Sequence, residues 1–293
     1  MTQHFTVVED IDSVVAAVEC LDRSARWRIA AAYPLEFAAF HPQGLARVGD
    51  RLLLSSAELL GDAEPYPSAD IGYSGHGRGH VFELDMTGRL LREIVVGEGE
   101  IFHPGGISYD GRQVWVPAAE YRPDSSSIVY RLDPGTMTID EVFRFDDHIG
   151  AIAHDWLTGL LHAATWGSAR LLVLDTTGKM LRSSVNKSRF VDYQDYAAVG
   201  HGKLVCTGVT EYPLPSGEKF SLGGIGVVDM ATGLIHHETP VTLLSPAGRT
   251  VTFNAVHLEV LSDPARLRMY AVPDDSPTPA GGSTLLVVDA PLD

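Results

Sequence analysis

Residues 103–118 read HPGGISYDGRQVWVPA, and the fold turns on recognising this stretch as one copy of a repeated unit. Its companion at 41–56, HPQGLARVGDRLLLSS, opens with the same His-Pro-x-Gly and runs through a turn into a second apolar strand. Looser copies begin at His148 (HIGAIAHDWLTGLLHAA), Tyr193 (YQDYAAVGHGKLVCTG) and Asn254 (NAVHLEV, then LRMYAV). Each is a short β run, a turn, and a second run of bulky β formers.

Downstream of each copy lies a second repeated element, a β run closed by aspartate. It reads VFELD to Asp85, VYRLD to Asp133, LLVLD to Asp175, IGVVD to Asp229 and LLVVD to Asp289. After the first four comes a turn containing Gly88, Gly135, Gly178 or Gly233, and then another apolar run. Asp opens such turns by accepting backbone N–H groups ahead of it, and Gly takes the positive φ they require.

Two hairpins per unit make a four-stranded blade, and five units make a ring. The sequence therefore predicts an all-β chain forming a five-bladed β-propeller, one domain over 1–293, with blades starting near 41, 103, 148, 193 and 254. Only four outer strands follow the aspartates. WRIAAAYPL at 27–35 is expected to supply the fifth and close the ring in the last blade, with residues 1–25 as a helix or strap outside it.

In such a ring the start of each first strand, the end of each second strand and the loops between second and third strands meet at one mouth of the axis. The starting column is His41, His103, His148, Tyr193 and Asn254, with Gln43, Asp147, Asp192, Gln194, Asp195 and His257 beside it. Second strands end at Glu58, Glu120, Trp166, Glu211, and Asp274 with Asp275. The loops bring Arg78, Tyr121, Arg122 and Lys219, and YSGHGRGH at 73–80 reads as a rim loop.

Histidine is only occasionally fully buried, so three in one inner column must be hydrogen-bonded, hydrated or bound to something. With carboxylates nearby, His41, His103, His148 and Asp195 are the expected ligands of a divalent metal ion. Glu58, Glu120, His257 and Tyr193 are the candidates for proton transfer, and Gln43, Arg78, Tyr121, Arg122, Trp166 and Glu211 for substrate binding. There is no GxSxG elbow, and Cys20 and Cys206 match no zinc or disulfide pattern, so covalent acyl-enzyme chemistry has little support.

The chain carries a formal charge of −16 and no Lys/Arg cluster, which excludes nucleic acid and anionic membranes as expected partners. The segment MTQHFTVVEDID lacks the pattern of a secretory signal, and no apolar run approaches the roughly 20 residues of a membrane span. A cytoplasmic protein acting on a small molecule is expected, its oligomeric state open.

The motif HPGGISYDGRQVWV, with its partner HPQGLARVGDRLLL, resembles the first hairpin of the gluconolactonase, strictosidine-synthase and NHL group of propellers. The likeness spans most of the blades and is a signature of fold more than of activity. The segments HPxG, FDDHIGAIAHD and AEYRPDS look closest to a bacterial propeller family with no activity to carry over. The gluconolactonase resemblance implies a divalent metal held in the axial channel by Glu and Asn/Asp side chains; here His41, His103 and His148 stand in the column instead. Streptogramin-lyase and oligogalacturonate-lyase propellers are similar in placing histidines around an axial metal, on a different blade number.

The expected function is thus a metal-assisted hydrolase or lyase acting on a small ester, lactone or carboxylate-bearing molecule. A metal-free glycosidase using paired carboxylates, or a non-catalytic binding propeller, is the alternative.

Overall fold

The computed structural model describes residues 11–61, 64–65, 72–187, 191–263, 265–275 and 283–292, and in it the repeats become five antiparallel blades. Blade 1 is His41–Val48, Arg51–Leu59, Gly77–Asp85 and Leu90–Val96. Blade 2 has an inner strand in two pieces, Ile101–Pro104 and Ser108–Tyr109, followed by Val114–Glu120, Ser127–Asp133 and Thr138–Phe145. Blade 3 is Ala151–Asp155, Leu160–Ala164, Arg170–Leu174 and Met180–Val185; blade 4 is Asp192–Gly200, Lys203–Pro213, Lys219–Asp229 and Leu234–Val241.

Blade 5 closes the ring. Its chain-order strands Asn254–Ser262, Ala265–Pro273 and Thr284–Pro291 receive Arg28–Pro34 as the outer fourth, with Arg28 opposite Asp289 and Tyr33 opposite Leu285. That closure ties the two ends of the chain into one sheet, as the missing outer strand required.

The aspartate turns form as their chemistry dictates. Asp85 Oδ1 accepts the amides of Thr87 and Arg89 and the Thr87 hydroxyl, and Asp175 repeats the pattern with Thr177 and Lys179. In blade 2 the positive φ falls on Met137 (φ 56) and not on Gly135, two residues beyond the expected position. Asp289 opens no hairpin, because its next strand comes from elsewhere in the chain; it pairs with Arg266 and Arg268 instead.

Packing follows strand alternation. Leu52 and Leu54 point into the core shared with blade 5, while Leu53 points into the core shared with blade 2; successive strand side chains face opposite ways, so each blade feeds both neighbours. Five apolar clusters result, one at each blade–blade boundary. The helix Ile11–Cys20 buries Ile11, Val14, Val15, Ala17 and Val18 in the cluster between blades 4 and 5. It realises the expected strap; residues 1–10 lie outside the described ones.

One correction concerns a glycine-rich segment. Gly77–His80 belongs to the third strand of blade 1, paired with Leu59–Ser56, and is not rim loop. A Cβ at Gly77 would strike the Phe102 ring and one at Gly79 the Val96 backbone, so these glycines admit neighbours. The same holds at the axis, where a Cβ on Gly44 would sit 2.5 Å from Ile107 N. The inner strands of blades 2 and 3 bond directly there, Gly106 N to Gly150 O at 2.8 Å and Ile152 N to Gly106 O at 3.2 Å.

Among the described residues, no helix is long and apolar enough to cross a membrane.

Candidate functional site

The predicted column reaches one mouth of the axis. His41, His103, His148, Tyr193 and Asn254, one from each blade, line a single cavity of about 630 Å³, together with Gln43, Tyr121, Trp166 and Glu211. Asp192, Gln194, Thr165, Thr210 and Phe253 complete its polar and aromatic wall. No Lys or Arg is among the described residues lining it.

Three imidazoles stand in a row. Ring centroids are 5.6 Å apart from His41 to His103 and 5.8 Å from His103 to His148. Tyr121 stacks on His103 at 3.9 Å and reaches His41 Nε2 with its hydroxyl at 2.9 Å. Asp274 Oδ2 lies 2.9 Å from His41 Nδ1, which places the proton on Nδ1 and makes Nε2 the acceptor of the Tyr121 O–H. His148 Nδ1 donates to the Glu120 backbone carbonyl at 3.0 Å, again leaving Nε2 with the lone pair.

His103 is different. Both of its ring nitrogens are buried without a hydrogen-bond partner among the described residues. Burial, reinforced by His41 and His148, pushes its pKa well below the ordinary histidine value, and burial lowers His148 to about 4. These two rings are neutral at pH 7, the form in which imidazole binds a metal.

The orphaned His103 nitrogens and the outer bonds behind His41 and His148 fit a divalent cation, which at His41 Nε2 would displace the Tyr121 hydroxyl and the Gln43 amide, the latter at 2.7 Å. An outer carboxylate or carbonyl is the usual support behind a metal-binding histidine. Among the described residues, no three His, Cys, Asp or Glu side chains already stand as a closed metal-binding group. His41, His103 and His148 would have to converge around the ion.

Asp195 does not join them. Its Oδ2 accepts Leu45 N at 2.7 Å and Val256 N at 3.1 Å, its Oδ1 accepts Tyr196 N at 2.9 Å, and Ile107 N adds a fourth donor. Both oxygens are consumed by the inner strands of blades 1, 2, 4 and 5, so the carboxyl closes the channel below the cavity. Burial drives its pKa well up, against the four amides that favour the anion.

The other expected proton carriers also move away from the cavity. Glu58 faces His80 Nε2 and Arg78, both at 3.3 Å. Glu120 pairs with Arg122 at 2.5 Å, so neither arginine is free at the rim. His257 lines a small pocket toward the other end of the axis, because three residues along a strand carry it past the cavity floor. The Tyr193 hydroxyl turns into blade 4 and donates to Glu238 at 2.6 Å, leaving only the rest of that residue at the wall.

In their place the structure supplies Asp192 and Asp274. Asp192 Oδ1 is buried and unpartnered among the described residues, Gln194 donates to Oδ2 at 2.5 Å, and burial lifts the pKa to about 6 in spite of bonds from Ser168 and Gln194. Both acids sit at sequence positions already marked as facing this mouth. What spacing did not convey is which carboxylates would be spent on neighbouring arginines and amides. Thr165 and Phe253 carry no signal in the repeat at all.

The chain belongs to a protein family described as a family of unknown function (DUF6454), whose model matches residues 7–293. None of the curated proteins matches it. Among solved structures it is similar to the tail fiber of Staphylococcus aureus phage P68, at 8% identity and a TM-score of 0.52, over 96% of this chain. It spans only 56% of that tail fiber's length. It is also similar to MPT-4, a mannose phosphorylase from Leishmania mexicana in complex with phosphate ion, at 11% identity and a TM-score of 0.50, over 94% of this chain and 92% of the other. At such identities the likeness is one of fold.

Proposed function

We propose that the axial cavity is the active site of a metal-assisted hydrolase or lyase acting on a small oxygenated molecule, an ester, lactone or carboxylate. The observation that carries this reading is His103, buried between two oriented histidines with both ring nitrogens unpartnered among the described residues. His41, His103 and His148 would hold a divalent ion, which would supply a Lewis acid for a carbonyl or carboxylate oxygen of the substrate. No Lys or Arg among the described lining residues competes for that electrophilic role.

The chain's own groups supply the rest. Asp192, with a pKa near 6, holds or accepts a proton close to neutral pH at the cavity wall. Asp274 fixes the ring of His41, and Tyr121 offers its hydroxyl at His41 Nε2. Trp166, Tyr121 and Phe253 give the substrate an apolar face; Gln194 and Asn254, each with one amide hydrogen engaged on Asp192 or the Pro42 carbonyl, offer the other to its oxygens, while Gln43 is held by His41 and the Pro42 carbonyl. The resemblance of HPGGISYDGRQVWV to the gluconolactonase group supports an oxygen-rich substrate.

A second reading, a metal-free glycosidase, draws on Asp192 and Glu211, two carboxylates lining one cavity with the former's pKa raised. Turnover of small esters, lactones and aryl glycosides, measured with and without chelator, separates the two. Ester or lactone turnover abolished by chelation, restored by metal and reduced in Asp192→Asn supports the first. Chelator-insensitive glycoside cleavage dependent on Asp192 and Glu211 replaces it with the second.

A further inference from the structure

Phe40 immediately precedes His41 and has a left-handed backbone, φ 52. The other described non-glycine residues with such a φ have local reasons for it. Met137 and His201 sit in hairpin turns, Ser168 in a one-turn helix, and Asp124 and Asn254 are of the residue types that adopt it readily. A bulky ring at positive φ is an outlier that its surroundings must hold in place. Neither Phe102 nor Asp147, the residues before His103 and His148, has one.

The surroundings of Phe40 are built to hold it. Its ring lies on His80 at 4.9 Å with 20° between planes, and His80 lies on Phe82 at 5.2 Å with 7°. His80 and Phe82 are alternate residues of the strand Gly77–Asp85, so both face the same side. The His80 ring is itself fixed, with Nδ1 2.6 Å from Glu93 and Nε2 3.3 Å from Glu58. Behind Phe40, the Ala39 carbonyl accepts the Ser56 hydroxyl. Ahead of it, the Pro42 carbonyl accepts amide hydrogens from Asn254 at 2.7 Å and Gln43 at 3.0 Å. The left-handed turn therefore joins two fixed points, and its direction sets where the His41 imidazole points. His41 is half-buried where His103 and His148 are buried, so packing around its own ring constrains it least.

We infer that Phe40 is a positioning residue for His41: its ring, seated on His80, holds the turn that delivers the imidazole to Asp274 and to the row with His103. The inference rests on the reading of that row as a cation site and goes on to say how the row is built. Without the Phe40 ring the turn relaxes, the bond from His41 Nδ1 to Asp274 loosens, and the Nε2 lone pair loses its direction.

The test compares zinc affinity, by competition with a chromophoric chelator, for wild-type protein and folded Phe40→Ala, Phe40→Gly, Phe40→Tyr and His80→Leu. Phe40→Ala and His80→Leu should bind roughly tenfold or more weakly, with Phe40→Tyr close to wild type. Phe40→Gly accepts the φ but has no ring, and should bind as weakly as Phe40→Ala. Equal affinity across the folded variants overturns the inference. A wild-type chain that binds no zinc removes the cation reading instead, and nitrogen NMR of the imidazoles at mildly alkaline pH then decides the positioning. His41 should carry its proton on Nδ1 in the wild type and share it between both nitrogens in Phe40→Ala. An unchanged Nδ1–H tautomer in that variant contradicts the role of Phe40.

Discussion

Asp274 Oδ2 lies 2.9 Å from His41 Nδ1, so a residue just past the second strand of blade 5 fixes the ring that opens blade 1. The contact joins the last blade to the first. It couples the geometry of the histidine row to correct closure of the ring.

Replacing Asp274 by Ala should leave the fold intact, because the side chain is partly exposed and packs in no apolar cluster. It should weaken divalent-metal affinity by roughly 10–100-fold, the usual effect of losing a support behind a ligating histidine. Competition against a chromophoric chelator measures this, and unchanged affinity would remove His41 from the ligand set.

Asp195→Asn should behave in the opposite way. Asn keeps one acceptor but turns an NH₂ group toward backbone N–H donors that the carboxyl now satisfies. A loss of roughly 3 kcal/mol is expected in urea unfolding, with metal content per folded chain unchanged. Metal loss at full stability would instead restore Asp195 as a ligand.

Acid should destabilise the protein below neutrality. Burial lowers His148 and His162 to about 4 and His257 to about 3, so each is neutral in the fold while the unfolded chain protonates near 6.5. Their contribution is complete above the unfolded value and disappears as pH falls through the folded ones. Asp192 has the reverse sign: its pKa near 6 lies above the usual carboxylate value, so its contribution is full in acid and is lost as pH rises through 6. Four histidines, His103 included, set against the raised Asp192 and Asp195, with Asp147 and Asp275 shifted less, make stability rise from pH 4 to 6.5. Urea midpoints across that range check the slope, which His162→Leu should flatten and Asp192→Asn should steepen. A flat profile in the wild type contradicts the burial argument.

The helix Ile11–Cys20 should act as a wedge between blades 4 and 5. Val18 is fully buried there, and Val18→Ala removes apolar contact and leaves a small cavity, at a cost of about 2 kcal/mol. Thermal or urea unfolding measures it. A change under about 0.5 kcal/mol would mark the helix as an appendage.

The ring itself was legible because its signal is repeated. HPxG starts and LD endings recur in phase, and residues 27–35 offered the β run that could supply the missing outer strand. The histidine column was legible for the same reason, since one residue per blade at one register must converge. Partner choice was not. Glu58 and Asp192 both occupy positions expected at the mouth, yet Glu58 is engaged by Arg78 and His80 from the adjacent strand while Asp192 keeps an oxygen unpaired. His257 and Asp195 sit beside the column in sequence, but Asp195 is turned onto the amides that close the channel and His257 lies beyond that closure.

The central claim is the cation at His103, and metal analysis of purified protein tests it most directly. Wild-type chain, as isolated or after incubation with zinc, manganese, iron or calcium and gel filtration, should hold one divalent ion per chain, and folded His103→Ala should hold almost none. A wild-type protein that neither carries nor retains any of these ions contradicts the account.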